Sequence, residues 1–160
     1  MDESAILHQL ETINVWKRGP QRAPHKPLLL LLALAAVQRR DARLLPFTEV
    51  SEKLRGLLAE FGPPRKSYHP EYPFWRLQND GDFWEIPQRT RLEAARGDRL
   101  RSGDVPASIL REFHARGGFT APVYAYLAAN PNVVNELTAK ILQENFPPSL
   151  HEDLLDAVGM

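Results

Sequence analysis

Ten consecutive residues from Leu28 to Val37, LLLLLALAAV, carry no polar side chain. Wound at helical pitch, such a run is apolar on every face, and a helix without a polar side must be surrounded. Its length is about half of the roughly 20 residues that span a bilayer. The run therefore reads as a helix buried at the centre of a core, not as a membrane anchor. A chain of 160 residues can bury one sizeable core, and this helix would be its pillar. One domain over residues 1–160 is expected, with the helices of 105–158 as a C-terminal helical cap.

The surrounding pattern is mostly helical. Ile6, Leu7, Leu10 and Ile13 recur at helical spacing between Glu3 and Val15. The next stretch, WKRGPQRAP, is rich in proline and reads as a loop of restricted shape, with Pro27 suited to the first turn of the apolar helix. Thr48 is a plausible N-cap for a helix whose Val50, Leu54, Leu57, Leu58 and Phe61 share a face before Gly62-Pro63-Pro64. Aromatic segments Phe74 to Gln78 and Asp82 to Ile86 flank Asn79-Asp80-Gly81, which predicts a β-hairpin. Arg89 to Gly103 reads as a charged connection. Four short helices follow: Val105 to Arg116, Ala121 to Ala129, Val133 to Asn145 behind Asn130-Pro131, and Leu150 to Val158 behind a Ser149/Glu152 capping box. The expected fold class is mainly α with a small β-hairpin, α+β, arranged like a winged helix.

The formal net charge of zero conceals a segregation. Between Asn14 and Leu44 seven Lys or Arg face one acid, Asp41, and between Ile86 and Arg101 five Arg face two acids. From Gly117 onward one Lys faces five acids. Such polarity suits a polyanion-binding face, although charge alone is equally compatible with a solvated surface.

Chemistry is harder to find. Cysteine is absent, which removes disulfides and thiolate sites and fits a cytoplasmic setting. The start, MDESAILHQL, lacks the basic region of a secretory signal. None of the serines lies in a nucleophile-elbow pattern, and no two of the five histidines lie within one helical turn. His69-Pro70-Glu71 is a close His-acid pair, but its proline spoils a shared ligand geometry. Gly117-Gly118 lacks the lysine of a phosphate-binding loop. The chain is expected to be no enzyme, and to hold neither metal nor cofactor.

Binding remains. Arg22, His25 and Lys26 stand before a rigid helix whose first N–H groups and dipole favour an anion. The same residues fit a plain proline-shaped turn equally well. Tyr72-Pro73 adds an apolar, preformed surface, and together the two elements suggest a pocket.

RAPHKPLLLL followed by HPEYPFWRLQNDGDFWEI resembles the N-terminal domain of bacterial HNH restriction endonucleases that attack modified DNA. The likeness is in particular to the sulfur-binding domain of the McrA-type, phosphorothioate-dependent enzymes, over about residues 15 to 90. It implies binding of double-stranded DNA in which sulfur replaces one non-bridging phosphate oxygen. It also implies cleavage by a C-terminal HNH domain, and no His-Asn-His arrangement follows Val158. By the resemblance, Tyr72 and Pro73 match the wall around the sulfur, and His25 with Arg22 and Lys26 supplies a cationic rim that Pro24 helps to shape. Arg76 would close the pocket, contact a neighbouring phosphate, or pair with Glu85 across the hairpin. Lys17, Arg18, Arg65 and Lys66 are further candidates for the DNA backbone. Arg89, Arg91, Arg96, Arg99 and Arg101 are candidates for reading bases, because arginine can grip guanine with two hydrogen bonds.

Two other readings stand beside this one. A winged-helix-like reader of methylated or unmodified DNA would share the basic face, but the helix after Thr48 bears Glu49, Glu52 and Glu60, a poor surface for the major groove. A protein-interaction module would use Trp75 and Trp84 and need no nucleic acid. Association as a homodimer through a longer protein is open to all three.

Overall fold

The apolar run forms α1, His25–Gln38, in a computed structural model that describes residues 4–6, 8, 24–97 and 103–160. Every residue from Pro27 to Val37 is buried, as the all-round pattern requires. Pro24 precedes the helix and its carbonyl accepts from the Leu28 N–H at 3.0 Å. The far end closes with the Arg40 N–H on the Val37 carbonyl and the Asp41 N–H on the Ala36 carbonyl, at 3.0 and 2.9 Å. This closure puts Arg40 in the left-handed region at φ 61°, a place usually taken by glycine.

The chain continues through β1, Leu45–Pro46, and α2, Phe47–Phe61. Next come α3, Glu71–Arg76, a 3-10 turn, Leu77–Asn79, and β2, Trp84–Glu85. α4 is Arg89–Arg96, α5 is Ala107–Glu112 and β3 is Arg116–Phe119. α6, Ala121–Ala129, α7, Pro131–Asn145, and α8, His151–Val158, complete the order, with a 3-10 turn, Pro148–Leu150, before α8. α1 packs against α2, α3, α6, α7 and α8 and is the pillar expected of it. Of the expected helix from Glu3 to Val15, residues 4–6 and 8 are described. They are helical, and Ile6 is buried in the core.

The expected hairpin is absent. Its first arm is helical, because the first four N–H groups of a helix need no partner within it and Pro73 sits among them at no cost. Its second arm, β2, pairs with β3, not with its sequence neighbour. The three-stranded antiparallel sheet has the order β1-β3-β2, with Leu45 opposite Gly117 and Trp84 opposite Phe119. Without that hairpin the winged-helix resemblance is not confirmed among the described residues, and the fold is mainly helical with this small sheet.

The helix expected over Val105 to Arg116 ends at Glu112, and Gly117 and Gly118 belong to β3, where their missing side chains admit neighbours. A Cβ at Gly117 would lie 2.9 Å from Cζ of Phe74, and one at Gly118 would collide with the Arg43 carbonyl oxygen. Capping also differs from expectation. Pro46, not Thr48, precedes α2, and neither Ser149 nor Asn130 caps through its side chain. The Asn130 amide instead donates to the Tyr126 carbonyl at 2.8 Å. Arg89 to Arg96, expected as a connection, is helical on a single buried anchor, Leu92, with the Arg89–Glu93 pair at 3.1 Å one turn apart.

Candidate nucleic-acid interface

Because α1 is locked in the core, the residues at its start are held firmly. Pro24 is buried, in the neighbourhood of Gly62, while His25 and Lys26 are half-exposed beside it. The segment of Arg65 to Arg76 comes up against this turn. Burial first, and then the positive charges of Arg65, His69 and Arg76, hold the His25 imidazole below its ordinary value of 6.5. A sequence separation of some fifty residues is thereby closed into one cationic cluster.

Tyr72 is the centre of that cluster. The His69 ring stacks on it, with centroids 4.7 Å apart and planes 15° from parallel. The guanidinium carbon of Arg76 lies 4.5 Å from the Tyr72 centroid. Helical pitch explains the Arg76 contact, since a residue four further on shares the face of Tyr72; His69 precedes α3 and is brought there by the turn that the Tyr72 N–H closes on the His69 carbonyl at 3.1 Å. His69 is oriented in turn: its Nδ1 meets Glu71 Oε2 at 3.2 Å and its Nε2 meets the Ser67 hydroxyl at 3.2 Å. Pro73, one residue on, is buried beneath.

Arg76 does not pair with Glu85, which is held by Arg43 at 2.8 Å. It grips Asp104 with two hydrogen bonds, Nε to Oδ1 at 2.9 Å and Nη2 to Oδ2 at 2.6 Å. These bonds raise the guanidinium's proton affinity further above its ordinary value. Lys26 is also paired, its Nζ 2.6 Å from Asp80 Oδ2. Arg65 and Lys66 are exposed.

The arginines of α4 divide by what they touch. Arg89 reaches Glu93 at 3.1 Å and Asn79 at 3.3 Å, and lies 6.0 Å from the Trp75 ring. Arg91 lies over Phe113 at 4.9 Å. Arg96 donates to the carbonyls of Gly97 and Gly103. Lys17, Arg18, Arg22, Arg99 and Arg101 lie outside the described residues. Trp75 and Trp84 are 3% and 2% exposed, and their indole N–H groups donate to the Gly103 and Phe74 carbonyls at 3.1 and 3.0 Å. They are core residues, so neither offers the exposed aromatic surface expected of an interaction module.

Two residues around the Tyr72–Arg76 face have little or no advance signal in the sequence. Asp104 lies 28 residues from Arg76, beyond the reach of any local pattern. The stacking of His69 depends on the turn that opens α3, closed by the Tyr72 N–H on the His69 carbonyl.

This architecture is the fold of the sulfur-binding domains of restriction enzymes. The sulfur-binding domain of ScoMcrA complexed with phosphorothioated DNA has a TM-score of 0.74 at 22% identity, covering 96% of this chain and 98% of that one. The sulfur-binding domain of SprMcrA complexed with phosphorothioated DNA has a TM-score of 0.67 at 21% identity, covering 99% and 94%. Against the type IV phosphorothioation-dependent restriction endonuclease ScoMcrA, the chain spans 32% of that chain at a TM-score of 0.74 and 22% identity. Residues 3–160 match the ScoMcrA-like DNA sulfur-binding domain, and the chain belongs to that family. No curated protein matches its sequence significantly. Among the described residues no helix is long and apolar enough to cross a membrane, and no group of three or more His, Asp and Glu is placed to hold a metal ion.

Proposed function

We propose that residues 1–160 act as one binding unit that holds double-stranded DNA by a phosphorothioate linkage, with the sulfur against Tyr72. The observation that carries this reading is the Tyr72 face itself, flanked by His69 and Arg76, whose charges also act on His25, in a chain of the sulfur-binding family. Sulfur is larger and more polarisable than oxygen and a weaker hydrogen-bond acceptor, so it loses less hydration on meeting an aromatic wall. In this reading Pro24 and Pro73 are the buried supports of the pocket, and His25 and Arg76 form its rim. Arg65 and Lys66 contact the backbone, joined by Lys26 once it parts from Asp80. Among the described arginines of α4, Arg91 is the favoured base reader, since Arg89 is held by Glu93 and Asn79 and Arg96 by the Gly97 and Gly103 carbonyls.

The chain then serves as the recognition module of a modification-dependent restriction system in the bacterial cytoplasm. Cleavage belongs to an HNH domain of a longer protein, not to the residues described above. The winged-helix alternative lacks the expected hairpin, and Glu49, Glu52 and Glu60 are exposed on α2, an unfavourable face for DNA.

A competition titration of one duplex with and without a single phosphorothioate tests the reading. A preference of at least about tenfold, 1.4 kcal/mol, is expected for the sulfur-bearing duplex. Tyr72→Ala should remove most of that preference while leaving most of the affinity for the unmodified duplex. Equal binding of both duplexes by the unaltered chain would overturn the proposal, and a parallel loss in the variant would make Tyr72 structural.

A further inference from the structure

The Arg76–Asp104 pair is asymmetric in exposure. The Arg76 side chain is 45% exposed and the Asp104 side chain 9%, so a buried carboxylate holds a guanidinium that still faces solvent. Asp104 is itself well anchored. The preceding residue, Gly103, takes the left-handed φ of 82°, and its carbonyl accepts the indole N–H of Trp75 from the same helix as Arg76. The carboxylate occupies two donors of the Arg76 fork, Nε and Nη2, and cancels its charge beside Tyr72.

We propose that Asp104 is a positioning residue that sets the preference for sulfur over oxygen, by neutralising Arg76 at the Tyr72 face. This rests on the reading of Tyr72 as the sulfur wall. An uncompensated guanidinium attracts every phosphodiester, modified or not, because that attraction is coulombic and carries no information about sulfur. A neutralised one keeps its planar face against the ring and its bulk at the rim, and leaves discrimination to polarisability and desolvation. Unmodified linkages vastly outnumber modified ones in DNA, so suppressing the general attraction is worth more to a reader than affinity alone.

The test is the same pair of duplexes titrated with Asp104→Asn and with the neutral pair Arg76→Gln/Asp104→Asn, each checked for a cooperative melt. D104N frees the Arg76 charge. Its affinity for the unmodified duplex should rise about threefold to tenfold and its salt slope steepen by up to about one, with the sulfur preference falling correspondingly. The neutral pair buries no unpaired charge, and because Arg76 itself lies at the rim it is read against Arg76→Gln alone: if Asp104 acts only through Arg76, the two differ by less than about twofold for either duplex, which keeps the test available if D104N does not fold. A D104N chain that loses affinity for both duplexes equally, or keeps the parent preference, overturns the role of Asp104; so does a neutral pair whose preference departs from that of Arg76→Gln. A parent chain that fails to discriminate overturns the sulfur reading instead.

Discussion

His25 joins a helix locked in the core to a surface crowded with positive charge, and both conditions oppose its protonation. The unfolded chain takes up this proton near the ordinary 6.5, the folded chain only at lower pH. Between those two values the unfolded state binds more protons, so stability rises with pH there. The contribution is complete above about 6.5 and is lost as the pH falls through that value to the depressed one. Melting temperature should therefore drop on acidification from about pH 7 to about 5.5, and His25→Asn should flatten the part that His25 contributes. Docking an anion beside the imidazole restores its proton affinity, so duplex affinity should strengthen over the same window. Calorimetry in buffers of different ionisation enthalpy reads this as proton uptake. An uptake unaltered in H25N would place the bound phosphate away from His25.

Among the elements, α1 shows how a helix can be held by its surroundings alone. It has no acid in its first turn, no side-chain cap and no polar face, and its last turn closes on a left-handed arginine. Arg40→Gly relieves that conformation and should stabilise the chain by about 0.5–1 kcal/mol in denaturant unfolding. No gain in midpoint would mean that the contact of Arg40 with the Ala128 carbonyl, 3.5 Å, offsets the strain. The element is legible in the sequence because its signal is local: ten apolar residues leave no other choice. α6 and α7 were legible for the same kind of reason, with Asn130-Pro131 marking the start of α7. The hairpin was misread because Phe74, Trp75, Phe83 and Trp84 have strand-like propensity, whereas burial decides their state. Trp84 finds its strand partner Phe119 35 residues away, a pairing that no local rule contains. Half of the candidate site was likewise legible. Tyr72 and His25 stand in quotable motifs, but Asp104 and the stacking of His69 depend on how distant segments and a misread helix fall together.

For the molecule as a whole, the sequence polarity survives in three dimensions as a difference in what the charges do. Lys26, Arg39, Arg43 and Arg76 are tied to carboxylates, while Arg65 and Lys66 remain exposed on the approach to Tyr72. Glu136, Glu144, Glu152, Asp153 and Asp156 are exposed on α7 and α8. Replacing both Arg65 and Lys66 by Ala should lower the salt slope of duplex binding by about two, equally with and without sulfur. Lys26→Ala should lower it by less, since Asp80 already neutralises that ammonium. An unchanged slope in the double variant would put this edge outside the footprint.

The sheet order has a further consequence, for synthesis. The central strand is the last of the three to be made, so β1 and β2 leave the ribosome with nothing to pair with until residue 119 has followed. Until then the nascent chain carries two open strand edges and a wholly apolar helix short of α6, α7 and α8, which complete its burial. A polypeptide cut before β3 is on these grounds a client for chaperones and proteases, not a weaker reader of DNA.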